Sequence, residues 1–145
     1  MAAKNNDWMG MMEEWFGKLP SLPKGGREAI VTITPWIALI FGVLGVLAGL
    51  AGLGLLTALS PFAAMGGGIG TTTWSWASAL VGIVASALLL ASFPGTKARK
   101  KKGWMMLLYS ELVSTLAAVV SLSVGGVLVS LIGLYLVFQI KSYYK

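Results

Sequence analysis

The chain has 145 residues, of which 57% are apolar and 11% charged, and its formal net charge is +6 at pH 7. So small a polar fraction cannot cover a water-soluble globule of this size, which excludes an ordinary soluble domain. The chain contains no cysteine and no histidine, which excludes disulfide bonds, thiolate metal sites and catalysis by the commonest acid–base side chain. We therefore predict one compact helical domain that has lipid as its solvent.

Residues 1–28 predict an amphipathic helix followed by a connector. Within residues 5–18 the large apolar side chains recur at helical spacing, whereas the acidic side chains fall largely elsewhere on the helix surface. Prolines and a Gly-Gly pair in residues 19–26 end this helix. We expect the helix to lie along the cytoplasmic membrane interface, either anchored by Trp8 and Trp15 or held by pairing of its acidic side chains with a basic loop.

Four apolar stretches predict an antiparallel bundle of four transmembrane helices over residues 29–145, so the expected fold class is an all-α membrane protein. Each stretch is close to the roughly 20 residues that cross a hydrocarbon core about 30 Å thick. Thr34 before Pro35 has the pattern of an N-cap followed by proline at the first helical position, so we expect the first span to begin there. Residues 61–73 are expected to form a short external loop. The predicted spans are about 35–59, 74–93, 104–122 and 124–141.

Basic residues predict the orientation of these spans. They crowd into a central loop after Pro94, and they recur in the N-terminal segment and at Lys141 and Lys145. Because cytoplasmic loops carry an excess of lysine and arginine, both termini are predicted to be cytoplasmic in a multi-pass protein of the cell membrane. The central cluster is also a candidate contact for anionic lipid, although its position alone explains it as a topology signal. Its members are Lys97, Arg99, Lys100, Lys101 and Lys102.

Aromatic residues near the predicted helix ends support this topology, since tryptophan and tyrosine favour the headgroup level of a membrane. We expect these residues to mark both boundaries of the hydrocarbon core. The inner set is Trp36, Trp104, Tyr143 and Tyr144, and the outer set is Trp74 and Trp76.

Small residues recur along the first predicted span. Four glycines follow alternating spacings of three and four, so they share one face and allow a neighbouring backbone to approach closely. We interpret this stripe as a packing surface, within the chain or between subunits, and the alternative is the lining of a pore. A homo-oligomer is accordingly expected, with the stripe and the N-terminal helix as candidate contacts. The stripe consists of Gly42, Gly45, Gly49 and Gly52.

Apart from Lys141, which ends the last predicted span, Glu111 is the one acidic or basic residue inside the predicted spans. A charge in hydrocarbon costs about 3 kcal/mol on insertion scales, so such a residue is a functional candidate by default. It is a candidate proton or cation site, with Ser110, Ser114 and Thr115 as polar neighbours. The structural alternative is a protonated or hydrogen-bonded carboxyl group that ties the helices together. A lone carboxylate lacks a second acid or base and a metal cluster, so we expect no catalysis, no cofactor and no metal site.

Three segments of the chain carry a resemblance to a known group. They are LPSLPKGGREAIVTITPWIALIFGVLGVLAGLAGLG, SFPGTKARKKKGW and the ending FQIKSYYK. On these segments the chain resembles a group of small bacterial four-span membrane proteins, some of which carry a chromate-transporter label, and the resemblance covers nearly the whole chain. An oxyanion path would need buried cations or strong hydrogen-bond donors, and the predicted spans contain no lysine, arginine or histidine before the terminal Lys141 of the last span. The resemblance therefore implies the four-span fold and carries over no functional residue.

Together these features predict a non-enzymatic small integral membrane protein that acts as an oligomeric assembly or scaffold module. The alternative is a small oligomeric channel, or a proton- or cation-linked transporter, that uses Glu111. The expected partners are the lipid bilayer, further copies of the chain and anionic lipid at the basic loop, and no nucleic acid is expected.

Overall fold

The computed structural model describes residues 7–65 and 69–145 and is built almost entirely from helices. The described residues contain no β-strand, which confirms the predicted all-α class. In chain order the elements are α1 (Asp7–Gly17), α2 (Lys24–Met65), α3 (Ile69–Lys97), α4 (Lys101–Val120), α5 (Val124–Gln139) and a 3-10 turn (Lys141–Tyr143).

Three of the helices are long and apolar enough to cross a membrane. The segments that meet this criterion of length and composition are Lys24–Phe62, Trp74–Lys97 and Lys101–Val120. Helix α5 is also apolar but has 16 residues. It is therefore about 24 Å long, whereas an upright span needs about 30 Å. The structure thus supports three of the four predicted spans on this criterion.

Helix α2 differs from the predicted first span at its beginning. The sequence predicts a helix that begins at Pro35, whereas α2 begins at Lys24 and runs through this proline. Val31, Pro35 and Ala38 are all buried, and their spacings of four and three residues continue the alternation of the glycine stripe toward the N-terminus. Pro35 therefore lies on the packed face of α2, and the packing of this face offsets the one backbone hydrogen bond that a proline cannot donate.

The loop predicted at residues 61–73 is mostly helical in the structure. Helix α2 continues through Pro61 to Met65, and α3 begins at Ile69. Residues 66–68 between them lie outside the described part of the chain. The Ser60 hydroxyl donates to the Thr57 carbonyl at 2.9 Å. This carbonyl is the acceptor that Pro61 leaves without a backbone donor. A side chain thus replaces the missing hydrogen bond and lets the helix continue.

The turns after α3 and α4 are Schellman motifs built without glycine. Arg99 and Leu122 each have a φ of 52°, the left-handed conformation that usually favours glycine. The N–H group after each of them bonds back to the carbonyl five residues earlier, at 2.8 and 3.0 Å. Helix α3 therefore ends at Lys97, three residues later than the stop predicted at Pro94.

Each long helix runs opposite to the next one in the chain. Between Gly42 and Gly49 of α2, the contacted residue on α3 falls from Leu90 to Ile83. The same reversal relates α3 to α4 and α4 to α5. The molecule consequently has two ends. The basic end holds the α3–α4 turn and the 3-10 turn, and the far end holds the tip of the α2–α3 hairpin and the α4–α5 turn.

The hydrophobic core lies at the basic end, and it contains two aromatic residues that were expected at the membrane surface. Trp104 is 1% exposed and Tyr144 is 6% exposed. The Trp104 indole N–H donates to the Val137 carbonyl at 2.8 Å, in the last turn of α5, where carbonyls lack helical donors. The backbone of Lys145 pairs with the α3–α4 turn through Arg99 and Lys101, which folds the end of the chain over these rings. The core residues are Val31, Trp104, Leu107, Leu108, Leu134, Val137, Ile140 and Tyr144.

Helix α1 packs against the C-terminal part of α5. The Phe16 ring stacks on Phe138 with centroids 5.1 Å apart, and methionines of α1 pack beside it against the core. Glu13 forms an ion pair with Lys141. The acidic helix therefore pairs with the 3-10 turn instead of the basic loop that the sequence suggested. The connector is held as well, because the Tyr135 hydroxyl donates to the Pro20 carbonyl.

Candidate functional site

Glu111 of α4 lies against α5, and glycine makes this position possible. A methyl group at Gly133 would lie 2.7 Å from Glu111 Oε2 and 3.0 Å from its carboxyl carbon. The carboxyl group therefore occupies the space that a side chain at position 133 would fill. The sequence marked Glu111 as a candidate, but it did not connect it with Gly133, because the contact joins two helices.

An apolar cavity of about 490 Å³ adjoins Glu111 between α2, α4 and α5. Among the described residues that line it, Glu111 is the one with a charge and Thr34 the one other polar side chain. The ion pairs of the described residues, Lys18 with Glu14 and Lys141 with Glu13, lie elsewhere. The carboxyl group thus faces a space with room for a proton or a cation.

The predicted polar neighbours of Glu111 do not gather around its carboxyl group. Ser110 Oγ donates to the Ala85 carbonyl of α3 at 2.8 Å, so this side chain ties α4 to α3. Ser114 follows one helical turn later and shares that face of α4. The Thr115 hydroxyl donates to the backbone carbonyl of Glu111 at 2.7 Å. Ser110 and Thr115 therefore donate to backbone carbonyls and not to the carboxyl group of Glu111.

Three of the four stripe glycines pack inside the chain. A methyl group at Gly42, Gly45 or Gly49 would lie 2.9, 2.2 or 2.4 Å from the nearest atom of α3. A methyl group added at Gly52 would have no atom of the described residues within 4 Å. The stripe therefore serves packing within the chain along most of its length and is open toward the far end.

The basic residues at the α3–α4 turn do not form one uniform surface. The Lys97 ammonium lies over the Trp36 ring, 5.5 Å from its centroid, and is held there by cation–π attraction. The Lys101 N–H donates to the Lys145 carbonyl at 2.8 Å, and its side chain lines a cavity at the basic end. All five members of the cluster are exposed, Arg99, Lys100 and Lys102 included.

Trp8 and Trp15 lie on the outer face of α1. They are 39% and 73% exposed, and the Lys18 ammonium lies 5.5 Å from the Trp15 ring centroid. The packed side of α1 carries Met9, Met12 and Phe16, and the Trp8 and Trp15 rings lie beside it. The two indole rings are thus available to a membrane interface or to another subunit.

The closest approach of two helices involves glycines that the sequence did not mark as a site. A methyl group at Gly95 would lie 2.5 Å from the Gly103 Cα, and one at Gly103 would lie 2.2 Å from the Gly95 carbonyl carbon. The backbones of α3 and α4 therefore touch directly. The sequence contains one signal from which this contact could have been predicted. Gly95 and Gly103 lie on either side of the basic cluster, close to the turn that brings α3 and α4 together.

No protein-family model, curated protein or solved structure matches this chain. Fold and site therefore define its class. It is an all-helical protein with three helices suited to crossing a membrane, and it has a carboxyl group beside an apolar cavity between α2, α4 and α5.

Proposed function

We propose that the protein is a non-enzymatic membrane module that assembles with further copies of itself through the far end of the α2–α3 hairpin. In this proposal α2 to α5 form an antiparallel four-helix bundle in the cell membrane. Helix α1 lies along the interface, and both termini are cytoplasmic. The observation that carries the proposal is the mismatch between the lengths of the helices.

The apolar part of α2 is too long for a bilayer whose thickness matches the length of α4. Residues 29–65 carry no charge and extend over about 55 Å. A hydrocarbon core about 30 Å thick accommodates about 39 Å of a helix tilted by 40°, the upper end of the usual range. Helix α4 is about 30 Å long and α5 about 24 Å. Roughly 16 Å of apolar helix therefore extends beyond the hydrocarbon.

The far end of α2 presents a continuous apolar face, which we call the far-end surface and which consists of Gly52, where the extension begins, and of Leu55, Leu59 and Phe62 within it. Spacings of three and four residues place them on one side of α2. The three large side chains are 50% to 71% exposed. Outside the hydrocarbon, an apolar face of this kind marks a protein contact. A second copy supplies a matching face, as symmetric dimers do, and Gly52 allows its backbone to approach.

A steric block at Gly52 tests this proposal. Gly52→Ile should convert the oligomer to monomers, because the branched side chain separates the two α2 helices, and the dissociation constant should rise at least about tenfold. Gly54→Ile is the matched control, since position 54 is equally open within the chain and lies on the opposite side of α2. The measurement is the oligomeric state in detergent and in nanodiscs. A monomeric wild type, or equal dissociation by both variants, would contradict the proposal.

A second candidate function is proton- or cation-linked transport through Glu111. It is favoured by the carboxyl group that lies against Gly133 and faces an apolar cavity. In such a cavity a lone carboxylate binds a proton or a cation to neutralise its charge. The path would pass between α2 and α5, the two helices that flank the cavity.

Flux measurements in proteoliposomes test the transport candidate. Glu111→Gln should abolish proton or cation flux, because the amide has nearly the same size but carries no charge. Gly133→Ala should lower the flux while the carboxyl group is retained, because the methyl group displaces it. Tyr109→Phe serves as the control, since Tyr109 is exposed and its position two residues before Glu111 places it on the opposite side of α4. Wild-type protein that is well folded and carries no flux would rule out the transport candidate.

A further inference from the structure

A second cavity of about 720 Å³ opens at the basic end, where α1, the beginning of α4 and the 3-10 turn meet. Its volume falls within the range of about 300 to 1,000 Å³ that is typical of small-molecule sites. Four cationic side chains line it, from Arg27, Lys101, Lys141 and Lys145. Glu13 is the one carboxylate in the lining, and it is already paired with Lys141. The cavity therefore has a positive excess.

Two buried donors at this cavity have no hydrogen-bond partner in the described part of the chain. They are Arg27 Nε and the Tyr144 hydroxyl, and both residues line the cavity. Burial raises the pKa of Tyr144, although the charge of Arg99 opposes this shift. The phenol thus keeps its proton at neutral pH. A buried donor without an acceptor costs about 1 to 3 kcal/mol, so a bound molecule that supplies an acceptor to these groups would be stabilised by them.

We propose that the basic-end cavity binds the phosphate group of an anionic phospholipid. A phosphate diester offers acceptor oxygens and negative charge, which match the two unpartnered donors and the cationic side chains. Arginine is suited to this role because its planar donors pair with two oxygens at once. This site differs from the basic cluster, because Arg27 and Tyr144 line it and, of the five cluster residues, Lys101 alone does.

The surroundings of the cavity favour a lipid over a soluble anion. Phe16, Trp104 and Phe138 line the same cavity, so an apolar wall lies beside the charged groups. The cavity is also located where the apolar helix α4 begins, at Lys101, and this is the level at which lipid headgroups meet a membrane helix. The inference rests on insertion in a membrane and does not depend on assembly through the far-end surface.

Native mass spectrometry of the full chain in detergent tests the site with two lipids of identical acyl chains. Dioleoyl phosphatidylglycerol should bind at least about tenfold more tightly than dioleoyl phosphatidylcholine. Arg27→Gln should weaken phosphatidylglycerol binding at least about tenfold. Tyr144→Phe should weaken it severalfold while the buried ring is retained. Lys24→Gln is the charge-matched control, since Lys24 is exposed and does not line the cavity.

Three outcomes would overturn the inference. If Arg27→Gln and Lys24→Gln weakened phosphatidylglycerol binding equally, the lipid would be attracted by the overall positive charge and not held in a site. Undiminished binding by folded Tyr144→Phe and Arg27→Gln would place the lipid elsewhere. Inorganic phosphate that binds as tightly as phosphatidylglycerol, measured by thermal stabilisation without lipid, would identify a soluble anion as the ligand. Gly52→Ile should retain lipid binding. Failure of the assembly proposal can therefore be distinguished from failure of the lipid-site inference.

Discussion

Replacement of Gly103 by alanine is expected to destabilise the fold by about 3 kcal/mol, the upper end of the usual cost of overpacking. The new methyl group would lie 2.2 Å from the Gly95 carbonyl carbon and 2.3 Å from the Thr96 backbone nitrogen. Backbone atoms cannot rotate away as the end of a side chain can. Helices α3 and α4 would therefore have to separate, which would also stretch the hydrogen bond from Ser110 to Ala85.

Gly82→Ala is the matched control for this substitution. Position 82 is also in a helix, and the described residues place no atom within 4 Å of the added methyl group. Alanine is favoured over glycine inside a helix by up to about 1 kcal/mol, so this variant should be neutral or slightly more stable. The measurement is reversible unfolding of purified protein in mixed detergent micelles. Similar shifts in both variants would contradict the direct backbone contact.

Replacement of Trp104 by alanine should cost about 3 to 5 kcal/mol, as large truncations in a core do. The indole is 1% exposed and packs in the cluster that joins α2, α4 and α5. The substitution also removes the N–H group that bonds to the Val137 carbonyl. Trp104→Phe separates the two contributions, because it keeps much of the apolar contact and should cost about 1 to 3 kcal/mol for the unpaired carbonyl.

Trp15→Ala is the control for the tryptophan series. Trp15 is 73% exposed on α1, so its loss should change the free energy of unfolding by less than about 0.5 kcal/mol. Both variants can be compared by thermal unfolding monitored by far-UV circular dichroism. Comparable destabilisation by Trp104→Ala and Trp15→Ala would place Trp104 at the surface, where the sequence pattern puts it, and would contradict the buried position.

The helical class could be predicted from the sequence because it depends on composition and local pattern. Long uncharged stretches predict apolar helices, and α2, α3 and α4 have the length and composition for a membrane. The helix boundaries at proline could not be predicted in the same way. Pro35 lies on a packed face and Pro61 has its lost hydrogen bond replaced by Ser60, and both effects depend on neighbours that a local pattern does not contain.

The candidate site shows the same division between local and long-range information. Glu111 stands out in the sequence because a carboxylate in an apolar stretch is rare. Its position against Gly133 and the partner of Ser110 depend on which helices are adjacent. Trp104 illustrates the limit most clearly. A tryptophan at a predicted helix end indicates the membrane surface, yet the chain after α5 folds back and covers it.

The contacts of the N-terminal segment also determine when it can take its place during synthesis. Pro20 bonds with Tyr135 and Leu22 with Gln139, across 115 and 117 residues of chain. A ribosome makes these partners long after the N-terminal segment, so the segment emerges before its binding surface exists. We expect the apolar side of α1, with Met12 and Phe16, to stay uncovered until α5 has been made. Docking of the first helix is thus a late step of folding.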